Sequence, residues 1–215
     1  MGKNNIEQQM GIEKLKPDEI VLQPGEIGVV LELIVHKPSG ELVEHRKLKS
    51  KSFVRQFLEI LWVQCYNLPS LLAGGAMPKD TGGAARGVDQ ASGNFSAVAA
   101  VGITTNGIIV GIGITAPTIN DYKMETPIAH GIGAGQLQYS AMTFGLPSAT
   151  GSISQFRLTR DFSNGSGASI SMNELGLYVI ASGYYFLAIR DVLGTPLEIP
   201  NGDILTINYE EQAAI

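Results

Sequence analysis

The sequence predicts a mainly β protein: a β-sandwich or jelly-roll-like fold with an N-terminal β-hairpin and one apolar helix. Three observations lead there. Runs of strand-forming residues follow one another through the second half of the chain, each closed by Gly, Asn, Ser or Pro turn chemistry. The 26 glycines gather in those turns and show no Gly-X-Y period, so they mark loops and not collagen. Of 215 residues, 44% are hydrophobic and only 16% charged, enough apolar side chain to build a core without disulfide staples.

Residues 1–25 are polar and aperiodic and read as an N-terminal arm, an extended or poorly ordered terminus. Residues 26–72 read as a hairpin followed by a helix. Gly28 to Val35 is rich in strand formers, Lys37-Pro38-Ser39-Gly40 turns the chain, and Glu41 to Arg46 leads back. Between Ser50 and Tyr66 the period changes: Phe53, Phe57 and Leu61 recur every four residues, with Ser50 or Ser52 available as a cap. Val54, Leu58, Ile60, Trp62 and Val63 widen the apolar face, which predicts a helix covered on most sides by its own domain or by another chain. Residues 73–95, broken by Gly74-Gly75, Pro78, Gly82-Gly83, Gly87 and Gly93, form a Gly-rich loop.

Residues 96–215 read as the β-sandwich, one compact unit with residues 26–72. Ala97–Thr105 and Ile108–Ile114 are expected to form a type I′ hairpin about Asn106-Gly107. Strands are then expected at Gln136–Phe144, Ile153–Phe162, Ala168–Ile180, Tyr184–Val192 and Ile204–Tyr209, with a turn at Gly194-Thr-Pro196. Within Ala168–Ile180 the apolar parity switches at Asn173-Glu174, which predicts a bulge. A hairpin centred on Ser182 sets Glu174 opposite Arg190; the alternative is two unrelated surface charges.

Composition also excludes function classes. A net charge of −5 argues against a nucleic-acid partner and against an anionic membrane surface. No apolar run approaches the ~20 residues that cross a bilayer, and Met1 to Lys16 lacks the apolar stretch of a signal peptide. The single cysteine, Cys65, excludes an internal disulfide and reads as a small buried hydrophobe.

No catalytic, cofactor-binding or metal-ligating residue emerges. His36, His45 and His130 lack a second His or Cys at ligand spacing. His36 and His45 flank the first turn and could face each other across it. His130 lies in a Gly-rich stretch, and no Gly-x-Ser-x-Gly elbow accompanies it. Gly111-Ile-Gly113-Ile-Thr-Ala116 fits a relaxed dinucleotide fingerprint, but Pro117 follows where a helix would have to start, so it reads as a strand packed closely against its neighbours. Asp161, Asp191 and Asp203 read as strand-end residues. The sequons Asn94-Phe-Ser96 and Asn164-Gly-Ser166 read as turns. What remains is the helix face: Phe53, Phe57, Leu61 and Trp62 are either internal core or an oligomer interface.

Three stretches carry a resemblance. Ile109 to Gly131 contains Gly111-x-Gly113-x-Thr115-x-Pro117-x-x-x-Asp121-x-x-Met124; Arg160 to Tyr178 contains Phe162-x-Asn164-x-Ser166-Gly167 and Glu174-x-Gly176-Leu177-Tyr178; Ile189-Arg-Asp-Val-Leu193 follows. Together they resemble tailed-bacteriophage virion structural proteins, with Met124 standing where that pattern has leucine. The resemblance covers roughly the last half of the chain. It implies a capsid decoration, head-accessory or tail-surface protein without an active site, built into the virion after assembly in the host cytoplasm. The implied partners are the major capsid protein or tail proteins and further copies of the chain, with no cofactor, nucleic acid or membrane. A tail or tail-fibre role with a carbohydrate-binding face is the alternative, in which Tyr139, Tyr178, Tyr184 and Tyr185 would supply stacking surfaces.

Overall fold

A computed structural model describes residues 20, 22–50, 52–66, 77–89 and 95–215, so most of the expected arm lies outside the described residues. Among them the chain forms β1 (Ile27–His36), β2 (Leu42–Lys49), α1 (Arg55–Tyr66), β3 (Gly107–Gly111), β4 (Gln138–Tyr139), β5 (Thr143–Phe144), β6 (Ser148–Thr150), β7 (Ile153–Ser163), β8 (Ile170–Ala181), β9 (Tyr184–Ile199) and β10 (Ile204–Ala214). The fold is mainly β and sandwich-like, as predicted. One antiparallel sheet runs β2-β1-β10-β7, with β4, β5 and β6 each pairing along β7; the second runs β3-β8-β9.

Alternation builds the first sheet. Leu31 lies opposite Tyr209, Leu33 opposite Ile207 and Val35 opposite Leu205, all wholly buried, while between them Glu32 lies opposite Asn208 and Ile34 opposite Thr206. One face therefore feeds the core and the other is a polar ladder. Asn208 donates to Glu32, and Thr159 donates to Asn208, at 2.8 and 2.6 Å. The hairpin strand β1 sits between β2 and β10, so the first and last strands share one sheet. The described end of the arm packs too: Ile20 and Leu22 lie against Val30, Ile153 and Ala214.

The second sheet turns at Ser182-Gly183, whose φ angles of 49° and 76° suit a two-residue hairpin. The predicted bulge is present as a register shift between Met172 and Glu174, and a second lies between Leu177 and Tyr178. Because the turn is centred between Ser182 and Gly183 and the second shift adds a further residue, Arg190 lies opposite Gly176 and Glu174 opposite Val192, not in the direct pairing expected. The strand expected to end at Val192 runs on to Ile199 through Gly194-Thr-Pro196. Arg46 of β2 explains how: it donates to the carbonyls of Thr195 and Pro196 at 2.6 and 2.7 Å, tying the two sheets together.

The Asn106-Gly107 hairpin does not form. β3 pairs with β8 instead, and residues 97–106 are irregular. The edge of β3 that β8 leaves open is taken by residues 126–128, where Ile112 donates to the Thr126 carbonyl and Ile128 to the Val110 carbonyl, both at 2.9 Å, and Arg160 holds the displaced segment. This fully buried guanidinium donates to the carbonyls of Ile103, Ser140 and Ile108 at 2.6, 2.9 and 3.0 Å and to those of Asn106 and Ala100 at 3.3 and 3.4 Å. Carbonyls left without a ladder in residues 100–106 are thus satisfied by one side chain. Gln136–Phe144 is likewise split into β4 and β5. Arg160 also lies 4.8 Å from the Tyr139 ring centre. Burial pulls its pKa down to about 10, since only carbonyl dipoles and the Tyr139 phenol offset the lost water.

Arg160→Met should therefore lower unfolding free energy by about 3–5 kcal/mol, since buried carbonyls lose their donors together. Arg160→Lys should fall between, because an ammonium cannot fork to as many acceptors. Urea denaturation followed by circular dichroism checks both.

Candidate functional site

The three stretches that carry the resemblance meet in space. Arg190, nearly inaccessible, donates to Glu174 at 2.7 Å, to Asp121 at 2.6 Å and to the Thr115 carbonyl at 3.0 Å, with Glu125 at 3.6 Å. Glu174, wholly buried, also accepts the backbone N–H groups of Glu125 and Thr126 at 2.7 and 3.1 Å, and Tyr178 accepts that of Met124 at 2.8 Å. The pair is thus diagonal across the sheet yet closely made. The glycines follow from it: a Cβ on Gly111 or Gly113 would stand 2.6 Å from the Glu174 carboxylate, and one on Gly176 would stand 2.8 Å from the Met124 sulfur. The dinucleotide-like spacing is accordingly a packing requirement. Burial works against the charge of Arg190, but hydrogen bonds to Glu174 and Asp121 outweigh it and hold its pKa above the ordinary value. Asp121 is likewise held low: burial opposes its charge, and hydrogen bonds from Thr118 and Arg190 prevail. Each nitrogen of the guanidinium has a partner, so the cluster clamps the 112–126 loop.

The helix is placed differently from its prediction. Residues 52–54 run beside β9: the Ser52 carbonyl accepts the Arg190 backbone N–H, Val54 donates to the Ala188 carbonyl, and Phe53 bridges Ile189. Ser50 spends its hydroxyl on Asp191 at 2.6 Å, so it does not cap α1. Phe53 thus precedes the helix. The buried stripe of α1 is Gln56, Ile60 and Val63, rotated from the expected Phe57–Leu61 face, and the helix is covered on one side only. Leu58, Leu61 and Trp62 are 62%, 46% and 46% exposed. Cys65 is exposed as well, because the buried stripe bypasses it.

Phe57 and Leu61 instead form one wall of a groove. Phe57 packs edge-on against Phe53 at 4.7 Å and Phe95 at 5.6 Å between ring centres. The opposite wall is Phe144, Phe156 and Leu158, with Ala97, Leu177, Gln64 and Glu211 completing a cavity of about 480 Å³. Of the four residues singled out in the sequence, then, two line the groove, Trp62 lies on the exposed helix face, and Phe53 braces Phe57 from behind. Phe95, Phe144, Phe156 and Glu211 were missed. Glu211 had a signal: it continues the alternation of Leu205, Ile207 and Tyr209, so a charged residue falls at an apolar position. Burial in the groove pushes its carboxyl up to about 7.

The other singled-out residues have local roles. His36 bonds Thr206 at 3.2 Å and His45 bonds Glu32 at 3.0 Å, so they do not pair with each other. His130 accepts the Tyr139 N–H at 3.1 Å. Asn164 is buried and donates to the carbonyls of Ala168 and Ile199, closing a turn; Asn94 lies outside the described residues. Asp191 is buried within β9 and not at its end. Tyr139 and Tyr178 are buried; Tyr184 and Tyr185 are partly exposed, with the Arg86 guanidinium 4.5 Å from the Tyr184 ring centre. Among the described residues no three His, Cys, Asp or Glu side chains cluster as metal ligands, and no helix is long and apolar enough to cross a membrane. No family model matches the chain, and no curated protein or solved structure matches it significantly.

Two outcomes follow. Glu174→Gln should cost about 3–5 kcal/mol, because Arg190 then keeps a buried charge with its main partner removed; chemical denaturation measures it. For Glu211 the folded pKa is raised from 4.5 to about 7, so its contribution to stability is full below about pH 4.5 and is lost as pH rises towards 7. Glu211→Gln should match wild type near about pH 4.5 and exceed it by about 3 kcal/mol near pH 8. Urea melts across that range test the sign.

Proposed function

We propose that this chain is a non-enzymatic structural protein of a tailed-bacteriophage particle, a capsid decoration or head-accessory subunit that oligomerises on the particle surface. The observation that carries the reading is the helix face and groove. Leu58, Leu61, Trp62, Phe95, Phe144 and Phe156 are large apolar side chains left exposed, and four of them border one cavity. Such anatomy, aromatic anchors around an apolar pit, is that of a protein interface. Support also comes from the convergence of the resembling stretches on one clamp that holds a loop to the second sheet. Function then resides in area: modest contacts repeated over symmetric copies add avidity and brace the shell. The Phe57 and Leu61 wall, with Trp62 beside it, is the surface that does this.

The test is stoichiometry. Purified particles should contain the chain in fixed ratio to the major capsid protein; few copies, recovered with isolated tails, would instead make it a tail component. In solution, the double substitution Leu61→Asp with Trp62→Asp should lower the oligomer mass seen by light scattering. Its unfolding free energy should stay within about 1 kcal/mol of wild type, as expected for exposed positions. A wild-type chain that remains monomeric at high concentration and off the particle would end the proposal.

A further inference from the structure

We propose that the groove between α1 and the core-facing side of β7 and β10 receives a lysine side chain flanked by apolar residues, presented by a partner polypeptide. The inference rests on reading the groove as an assembly surface and adds the chemistry of what enters it.

The cavity of about 480 Å³ holds several side chains, and its wall is hydrocarbon except at Gln64 and Glu211. Glu211 has Val29 and Phe156 as its strand neighbours on either side, so neither flanking strand offers it a charge there. From α1 the polar wall residue is Gln64, which is neutral. On its own strand the titratable neighbour on the same face is Tyr209, whose phenol burial holds protonated. Burial is what displaces the Glu211 pKa, with no cation among the described residues offsetting it.

Charge complementarity then selects the occupant. A purely apolar anchor would leave the carboxyl either protonated or stranded without a partner, and an acidic one would repel it. A lysine lays its methylene stem along apolar walls and brings an ammonium to the carboxylate. The rim favours a polypeptide over a free amine. Leu61, Phe95, Phe144 and Phe156 stay exposed around the opening, and flanking apolar residues would cover them.

The full-length protein is titrated with acetyl-Leu-Lys-Leu-amide and with the same peptide carrying norleucine or glutamate at its centre. Binding is read from the NMR signals of the Phe57, Phe144 and Phe156 rings. At about pH 8 the lysine peptide should bind about fivefold more tightly than the norleucine peptide, and the glutamate peptide more weakly than either. That preference should vanish in Glu211→Gln and shrink at about pH 5.5, where Glu211 is protonated. Equal binding of the lysine and norleucine peptides would overturn the lysine inference while leaving the groove an apolar interface. Hexylamine binding as tightly as the lysine peptide would overturn it in favour of a small-amine site. No shift of the ring signals with any peptide at millimolar concentration would remove both the inference and the interface reading.

Discussion

A carboxylate removed from water sets the terms for the second sheet. Glu174 has no accessible surface, and a charge so placed costs several kcal/mol unless its oxygens are fully engaged. Arg190 and the backbone N–H groups of Glu125 and Thr126 engage them. To do so the 112–126 loop must lie flat on β8, and it can lie flat only where Gly111, Gly113 and Gly176 leave room. Three stretches far apart in sequence are therefore one physical object, and their residue types are mutually imposed.

Arg160 meets the same cost by other means. Arg190 is surrounded by carboxylates and its pKa is raised; Arg160 has only carbonyl dipoles and aromatic faces and its pKa is lowered. Each arginine stabilises irregular backbone. One fixes the loop over the second sheet, and the other reaches across the sandwich from β7 to the carbonyl of Ile108 on β3. Long loops without secondary structure become rigid this way, because a fork of donors replaces the missing ladder.

The groove lies where that economy ends. α1 covers one side of the core with Gln56, Ile60 and Val63, and its remaining apolar residues exceed what the sandwich can bury. The amide of Gln56 is itself buried without a hydrogen-bond partner among the described residues, a cost to the seating of the helix. A surplus of aromatic surface beside a carboxyl at an apolar strand position is costly while it faces water, and the proposed interface would relieve that cost.

Local periodicity determined much of this protein by itself. The first hairpin, β7, β8 with its bulge, and the Ser182-Gly183 turn were legible because alternation and positive-φ residues act over a few neighbouring positions. The closeness of Gly111 and Gly113 to another element was legible for the same reason, as was the apolar surplus around Phe57 and Leu61. Tertiary structure alone decided the rest. Asn106-Gly107 carries a strong hairpin signal, yet β8 and residues 126–128 took the two edges of β3, and a guanidinium 54 positions away in sequence from Asn106 fixed the segment left over. The helix register turned on which stripe met β9, and the groove required Phe95, Phe144, Phe156 and Glu211 to converge from separate elements. Short-range patterns record what each segment prefers, whereas buried charge and long-range hydrogen bonds settle which preferences can be satisfied together.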